Sequence, residues 1–298
     1  MMKSFLATSI IRIFGLLPMA IAQRLGLLIG HLLYWLPNRT KQETTRNIAR
    51  CLPYLDSPSQ QRLVQKSLCH TAMAMMEMGH NWCDSGAANC KRVRHVEGVA
   101  LLDGVRPRII VTPHFGNWEL FAAWLAQQSP LTALYKPAKL AGLDELISQG
   151  RQGAGMALAP ASAKGVMMLK RALKKHESLL ILPDQEPPAQ SAIEATFFGQ
   201  PAYTMTLVAQ LMRGFVAPKS SSPTNAPDKQ IQVLLGWAKR LGPGQGFAIE
   251  LLDISEQCLH ESLQDSVQSI NDAMADLIAH HPEQYQWEYR RFKQTLEQ

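Results

Sequence analysis

From residue 106 onward, short apolar runs alternate with longer amphipathic segments, and few architectures accommodate that pattern. RPRIIVT, TALYK and SLLILPD are too short for helices and rich in branched apolar side chains, so they read as strands. NWELFAAWLAQQ, LDELISQGRQG and KGVMMLKRALKKH lie between them with helical periodicity. IEATFF, IQVLLGWAKRL and FAIELLDI read as further strands, with TMTLVAQLMRGF as a helix among them. SLQDSVQSINDAMADLIAHH reads as a long last helix, stopped by Pro282. Strands that alternate with helices predict an α/β fold with a mixed, mostly parallel sheet flanked by helices. The stretch from Pro218 to Asp228 reads as a loop by composition.

Ahead of this region, residues 57 to 83 read as a helix with Leu63, Leu68, Met73, Met76 and Trp82 available for a buried face. Residues 5 to 36 are strongly apolar but are interrupted by Arg12, Pro18, Gln23, Arg24 and His31. An uninterrupted run of about 18 apolar residues, the length of a simple spanning helix, is missing there. The expectation is a hydrophobic helical anchor that dips into or spans a membrane, with Arg39 to Arg50 on the cytoplasmic side. A buried amphipathic helix pair satisfies the same residues. The expected division is accordingly an anchor at 1–50 and a second domain at 51–298.

Charge supports that division. The net charge is +6, and residues 1 to 50 hold seven basic side chains against Glu43 alone, so the rest of the chain is neutral. A nucleic-acid domain would carry its basic surface along its body, whereas a basic end suits anionic headgroups. Five cysteines without a CxxC pair fit a reducing compartment. His80, Cys83, Cys90 and His95 lack the regular spacing of a zinc site, and no cofactor is implied.

The strand RPRIIVT runs into PHFGNWE. Ligand sites in open α/β sheets gather beyond the carboxyl ends of strands, where His114 falls. Glu119 follows five positions later, about 140° away on one ideal helix, so the two meet only if the chain bends between them. Gly116 permits the bend, Asn117 suits an N-cap, and Glu119 then falls in the first helical turn. A carboxylate facing an imidazole fixes its tautomer and makes it a general base. A capped helix with a packed histidine fits the same spacing. No GxSxG-like nucleophile is present, so the acceptor hydroxyl would belong to the substrate.

HFGNWE resembles the His-x4-Asp/Glu motif of membrane acyltransferases, in the form carried by the bacterial lipid A late acyltransferases, the lauroyl/myristoyl transferase family. ALYKPAKLAGLDELISQGR, LPDQEP with FFGQPAYTMT, and HPEQYQWEYRRFK resemble three further blocks of that family in consistent order. The departures are Lys136 where arginine is frequent, Tyr289 where histidine is frequent, and no glycine pair before Phe197-Phe198-Gly199.

The resemblance implies a glycerolipid-acyltransferase-like fold at the bacterial inner membrane, with the catalytic domain on the cytoplasmic face. It implies transfer of a fatty acyl chain from acyl carrier protein to a hydroxyl of a lipid A precursor, with His114 as base and Glu119 orienting it. Arg151 is the candidate oxyanion or phosphate ligand, and Asp184, beyond SLLILP, the candidate to orient Arg151 or position substrate. Phe197 and Phe198 fit an acyl groove or ordinary core. Lys170, Arg171, Lys174 and Lys175 on one helix, and Arg290, Arg291 and Lys293 in the tail, fit solvated faces or contacts with an acidic carrier protein or lipid A phosphates. Transfer to another membrane lipid, such as a lysophospholipid or glycolipid, and hydrolysis of an acyl thioester use the same base.

Overall fold

The computed structural model describes residues 2–215 and 231–293, so the expected loop at 218–228 lies outside the described residues. Four helices lead: α1 (Met2–Leu16), α2 (Met19–Trp35), α3 (Arg39–Cys51) and α4 (Ser57–Cys83). Local chemistry sets the ends of α4. The Asp56 carboxylate accepts the Ser59 N–H at 2.9 Å and Pro58 sits in the first turn. The short α5 (Gly86–Cys90) follows. Then come β1 (Val93–Glu97), β2 (Arg108–Val111), α6 (Trp118–Leu125), β3 (Leu131–Tyr135), α7 (Ala141–Gly153), β4 (Met156–Pro160), α8 (Ala163–Lys174) and β5 (Ser178–Ile181). The hairpin β6 (Ala192–Phe197) and β7 (Gln200–Met205) precedes α9 (Leu207–Arg213). The chain closes with β8 (Gln232–Gly242), β9 (Gly246–Asp253), α10 (Ser255–Cys258) and α11 (Leu263–His280).

Seven strands form one sheet in the order β1-β9-β8-β2-β5-β3-β4, parallel throughout except where β8 meets β9. Its centre is buried on both faces, which is why the central strands are continuous apolar runs. Ile109 and Val111 of β2 face one core with Leu179, Ile181, Val233 and Leu235, against α8 and α11. Ile110 faces the other, with Leu180 and Leu234, against Leu120, Phe121 and Trp124 of α6.

Three strands are absent from the sequence reading. In β1 only Val93 is even partly shielded, and β4 closes the opposite edge, so neither carries a buried apolar run. The third, β7, contains Pro201 and pairs only with β6, away from the main sheet. Its Thr204 and Met205 were expected in a helix, which begins instead at Leu207.

The apolar amino-terminal segment is helical, but no single described helix is long and apolar enough to cross a membrane; α2 and α3 meet at 81°. One side of α1 and α2 packs on α4 through glycines. A Cβ on Gly26 would lie 2.7 Å from the Met73 Cα, and one on Gly30 2.3 Å from the Cys69 Cα. The other side leaves Phe5, Leu6, Ile13, Leu16, Leu28 and Trp35 exposed. Helix α3 runs continuously through residue 50.

Candidate active site

Strands β2 and β5 are parallel neighbours with Val111 opposite Ile181. Both then leave the sheet through a proline, Pro113 and Pro183, and reach His114 and Asp184 at the same offset. Register therefore brings together two side chains 70 residues apart. His114 Nδ1 lies 2.8 Å from Asp184 Oδ1, and the His114 backbone N–H donates to Asp184 Oδ2 at 3.0 Å. Asp184 is 1% exposed, while the His114 side chain keeps 19% of its surface in solvent. Burial pushes the Asp184 carboxyl up, but the facing imidazole and its two hydrogen bonds outweigh this and hold it below the usual range. An ionised Asp184 only accepts, so the proton sits on Nδ1 and Nε2 is left as a base.

Glu119 does not take the place expected for it. It opens α6, whose N-terminus is capped by the Asn117 carboxamide accepting the Leu120 N–H at 2.9 Å. Its carboxylate receives Arg151 Nε at 3.0 Å and Nη2 at 2.5 Å. The orienting contact on His114 thus belongs to Asp184, and Asp184 holds His114 rather than Arg151. The physical reason is direction: α6 starts after the bend at Gly116 (φ +56°) and turns Glu119 toward the last turn of α7. Burial would raise the Glu119 pKa, yet Arg151, the Trp82 indole and His114 together lower it. Arg151 also lies over the Tyr135 ring, 5.3 Å from its centroid, at the end of β3. The four sequence candidates thus form two pairs, His114 with Asp184 and Glu119 with Arg151.

The carboxyl-terminal stretch completes the site. The Gln286 N–H donates to the His114 carbonyl at 3.0 Å, and Tyr285 bridges Phe115. Burial, then the Asp184 charge, pushes the Tyr285 phenol well above its usual value. Glu288 accepts from Thr71 Oγ1 at 3.0 Å, and burial raises its carboxyl pKa. The PEQYQW block carried the only signal for these residues, because nothing local in their sequence assigns them a partner.

In the basic tail, Arg291 is placed differently from expectation, while Phe197 takes the core alternative. Arg291 is 3% exposed, donating to the Tyr203 carbonyl at 2.6 Å and to Thr204 Oγ1 at 2.8 Å, so it pins the β6–β7 hairpin instead of meeting solvent. Phe197 is core, at 1% exposure, and packs edge-on against Phe198. The α8 lysines and Arg171 are exposed. Among the described residues, no group of three or more His, Cys, Asp or Glu is arranged to hold a metal.

The depressed carboxylates of the site, Asp184 and Glu119, set an acid limit on stability. Each contributes fully above its unfolded value and is lost as pH falls through its lowered folded value. Buried His70, whose imidazole burial holds down at about 3, stays neutral while the unfolded chain takes up its proton, so the melting temperature should begin to fall below about pH 6.5 and fall more steeply below about pH 4, measured by circular dichroism. In Asp184→Asn the acid limb should be shallower; an unchanged limb would remove Asp184 from the linkage.

The family model for bacterial lipid A biosynthesis acyltransferases matches residues 1–219. A lipid A biosynthesis acyltransferase of Haemophilus influenzae is 27% identical over 184 residues, covering 58% of this chain and 57% of that protein. The match thus spans a little over half the length of that relative.

Proposed function

Since the chain belongs to the bacterial lipid A biosynthesis acyltransferase family, we propose that it transfers a fatty acyl chain from acyl carrier protein to a hydroxyl of a lipid A precursor. The observation that carries the chemistry is the Asp184–His114 pair, with Nδ1 engaged and the ring partly open to solvent. His114 Nε2 takes the proton of the acceptor hydroxyl as its oxygen attacks the thioester carbonyl carbon. The tetrahedral intermediate carries an oxyanion. Arg151 uses Nε and one N–H of Nη2 on Glu119, so Nη1 and the second Nη2 N–H are the donors left for that oxyanion or for a substrate phosphate. Collapse breaks the carbon–sulfur bond, and the carrier thiolate leaves with the proton from His114. Glu119 keeps the guanidinium in place.

The exposed apolar side of α1 and α2, with Arg12, Arg24 and Arg39 exposed nearby, supports a position in the headgroup layer. The acceptor lipid supports placing this at the inner membrane with the site on the cytoplasmic face. The exposed basic face of α8 suits an acidic carrier protein.

Mass spectrometry of lipids tests the assignment. Membranes carrying the protein receive acyl carrier protein loaded with mixed chain lengths and a lipid A precursor. One added acyl chain is the expected product, and it names the chain length. Precursor and donor both left intact would point to another lipid acceptor, and free fatty acid released without acceptor would point to a hydrolase.

A further inference from the structure

Beneath the His114 loop lies an ion pair that the proposed chemistry does not use. Arg240 of β8 and Glu77 of α4 have side chains 2% and 0% exposed. Arg240 Nε donates to Glu77 Oε1 at 2.7 Å, and Nη2 donates to Glu77 Oε2 at 2.7 Å and to the Gly116 carbonyl at 2.7 Å. The Asn117 amide donates to Glu77 Oε2 at 3.0 Å, and Gln23 of α2 donates to Glu77 Oε1 at 2.7 Å. Gln284 closes the frame. It accepts the Arg240 N–H at 2.9 Å, donates to the Arg240 carbonyl at 3.1 Å, and its own carbonyl accepts the Gly116 N–H at 3.0 Å.

A buried pair of this kind gives little net stability over apolar side chains of the same volume, because desolvating both charges costs about what their attraction returns. What apolar side chains would not supply is a donor aimed at Gly116. The left-handed turn there leaves a carbonyl inside the protein, and a Cβ at that position would lie 2.0 Å from the Ala238 carbonyl oxygen. We propose that Glu77, Arg240 and Gln284 are positioning residues that lock Gly116 and Asn117 from below, so that His114 is held with Nδ1 on Asp184. They touch no reacting atom. The fork of Arg240 is needed, because one edge must serve Glu77 while Nη2 also reaches Gly116.

The inference rests on the acyl-transfer reading only for its kinetic test. Arg240→Lys keeps the charge opposite Glu77, but its one nitrogen replaces both Nε and Nη2 and its stem ends short of the Nη2 position that reaches Gly116. In the folded, full-length variant, kcat for transfer should fall at least ~10-fold with KM within about twofold, because a misplaced base costs rate and not binding. The second readout needs no activity. The imidazole nitrogen shifts of 15N-histidine-labelled protein, assigned with His114→Ala, should show one Nδ1–H tautomer in the wild type and a mixture in Arg240→Lys. Folded Arg240→Lys protein with wild-type kcat and tautomer would overturn the proposal, leaving the pair a purely structural one. If Arg240→Lys does not fold, the same readings on Gln284→Leu, which leaves the ion pair intact, decide it in the same way. A wild type that transfers nothing yet shows the single tautomer would defeat the acyl-transfer reading and leave this one standing.

Discussion

His114→Ala is expected to lose acyl transfer by at least ~100-fold while remaining folded, the usual contribution of a general base. That loss corresponds to about 2.7 kcal/mol of barrier. The fold should survive because the imidazole is partly exposed and packs edge-on against Trp118 at 5.2 Å without filling the core. The backbone N–H of residue 114 still donates to Asp184 Oδ2, so the buried carboxylate keeps one partner. Some stability is lost, since the buried carboxylate gives up its imidazole partner. Transfer rate per folded molecule, read beside the melting temperature, separates the two effects. Full activity in folded His114→Ala protein would end the mechanism.

The second large effect distinguishes the two carboxylates. In Asp184→Asn the carboxamide can donate to Nδ1, which would move the ring proton to Nε2 and remove the base. In a serine-protease triad this kind of exchange costs roughly 10⁴-fold in kcat, and an effect on the order of 10³–10⁴ is expected here. Glu119→Gln should act differently, because its contact is Arg151 and not the imidazole. It weakens a bidentate pair, so its effect should appear in KM and stability as well as in kcat, and should shrink when Arg151 is also removed. Single-turnover rates for Asp184→Asn, Glu119→Gln and Arg151→Met, with the double variant, supply the comparison. If Asp184→Asn retained its rate while Glu119→Gln lost it, Glu119 would be the orienting group after all.

Much of this protein follows from its sequence alone. Residues 57–83 form the helix that their composition predicts, because Asp56, Pro58 and a periodic apolar face are all local signals. The central strands were legible because each is buried on both faces and must be continuously apolar. The bend and cap at Gly116 and Asn117 were legible for the same local reason, as was the meeting of His114 with chemistry beyond the end of a strand. Strands β1 and β4 were not, because edge position removes the burial that writes a pattern. Nor was the burial of Arg291, whose partners come from the β6–β7 hairpin. The partner of His114 belongs with these. Sequence spacing offers Glu119 because it is close along the chain, but a side chain answers to distance in space. The parallel register of β2 and β5 puts Asp184 on the imidazole, and the direction of α6 hands Glu119 to Arg151. Register and helix direction are set by packing over the whole sheet, so only the tertiary structure decides which carboxylate holds the base.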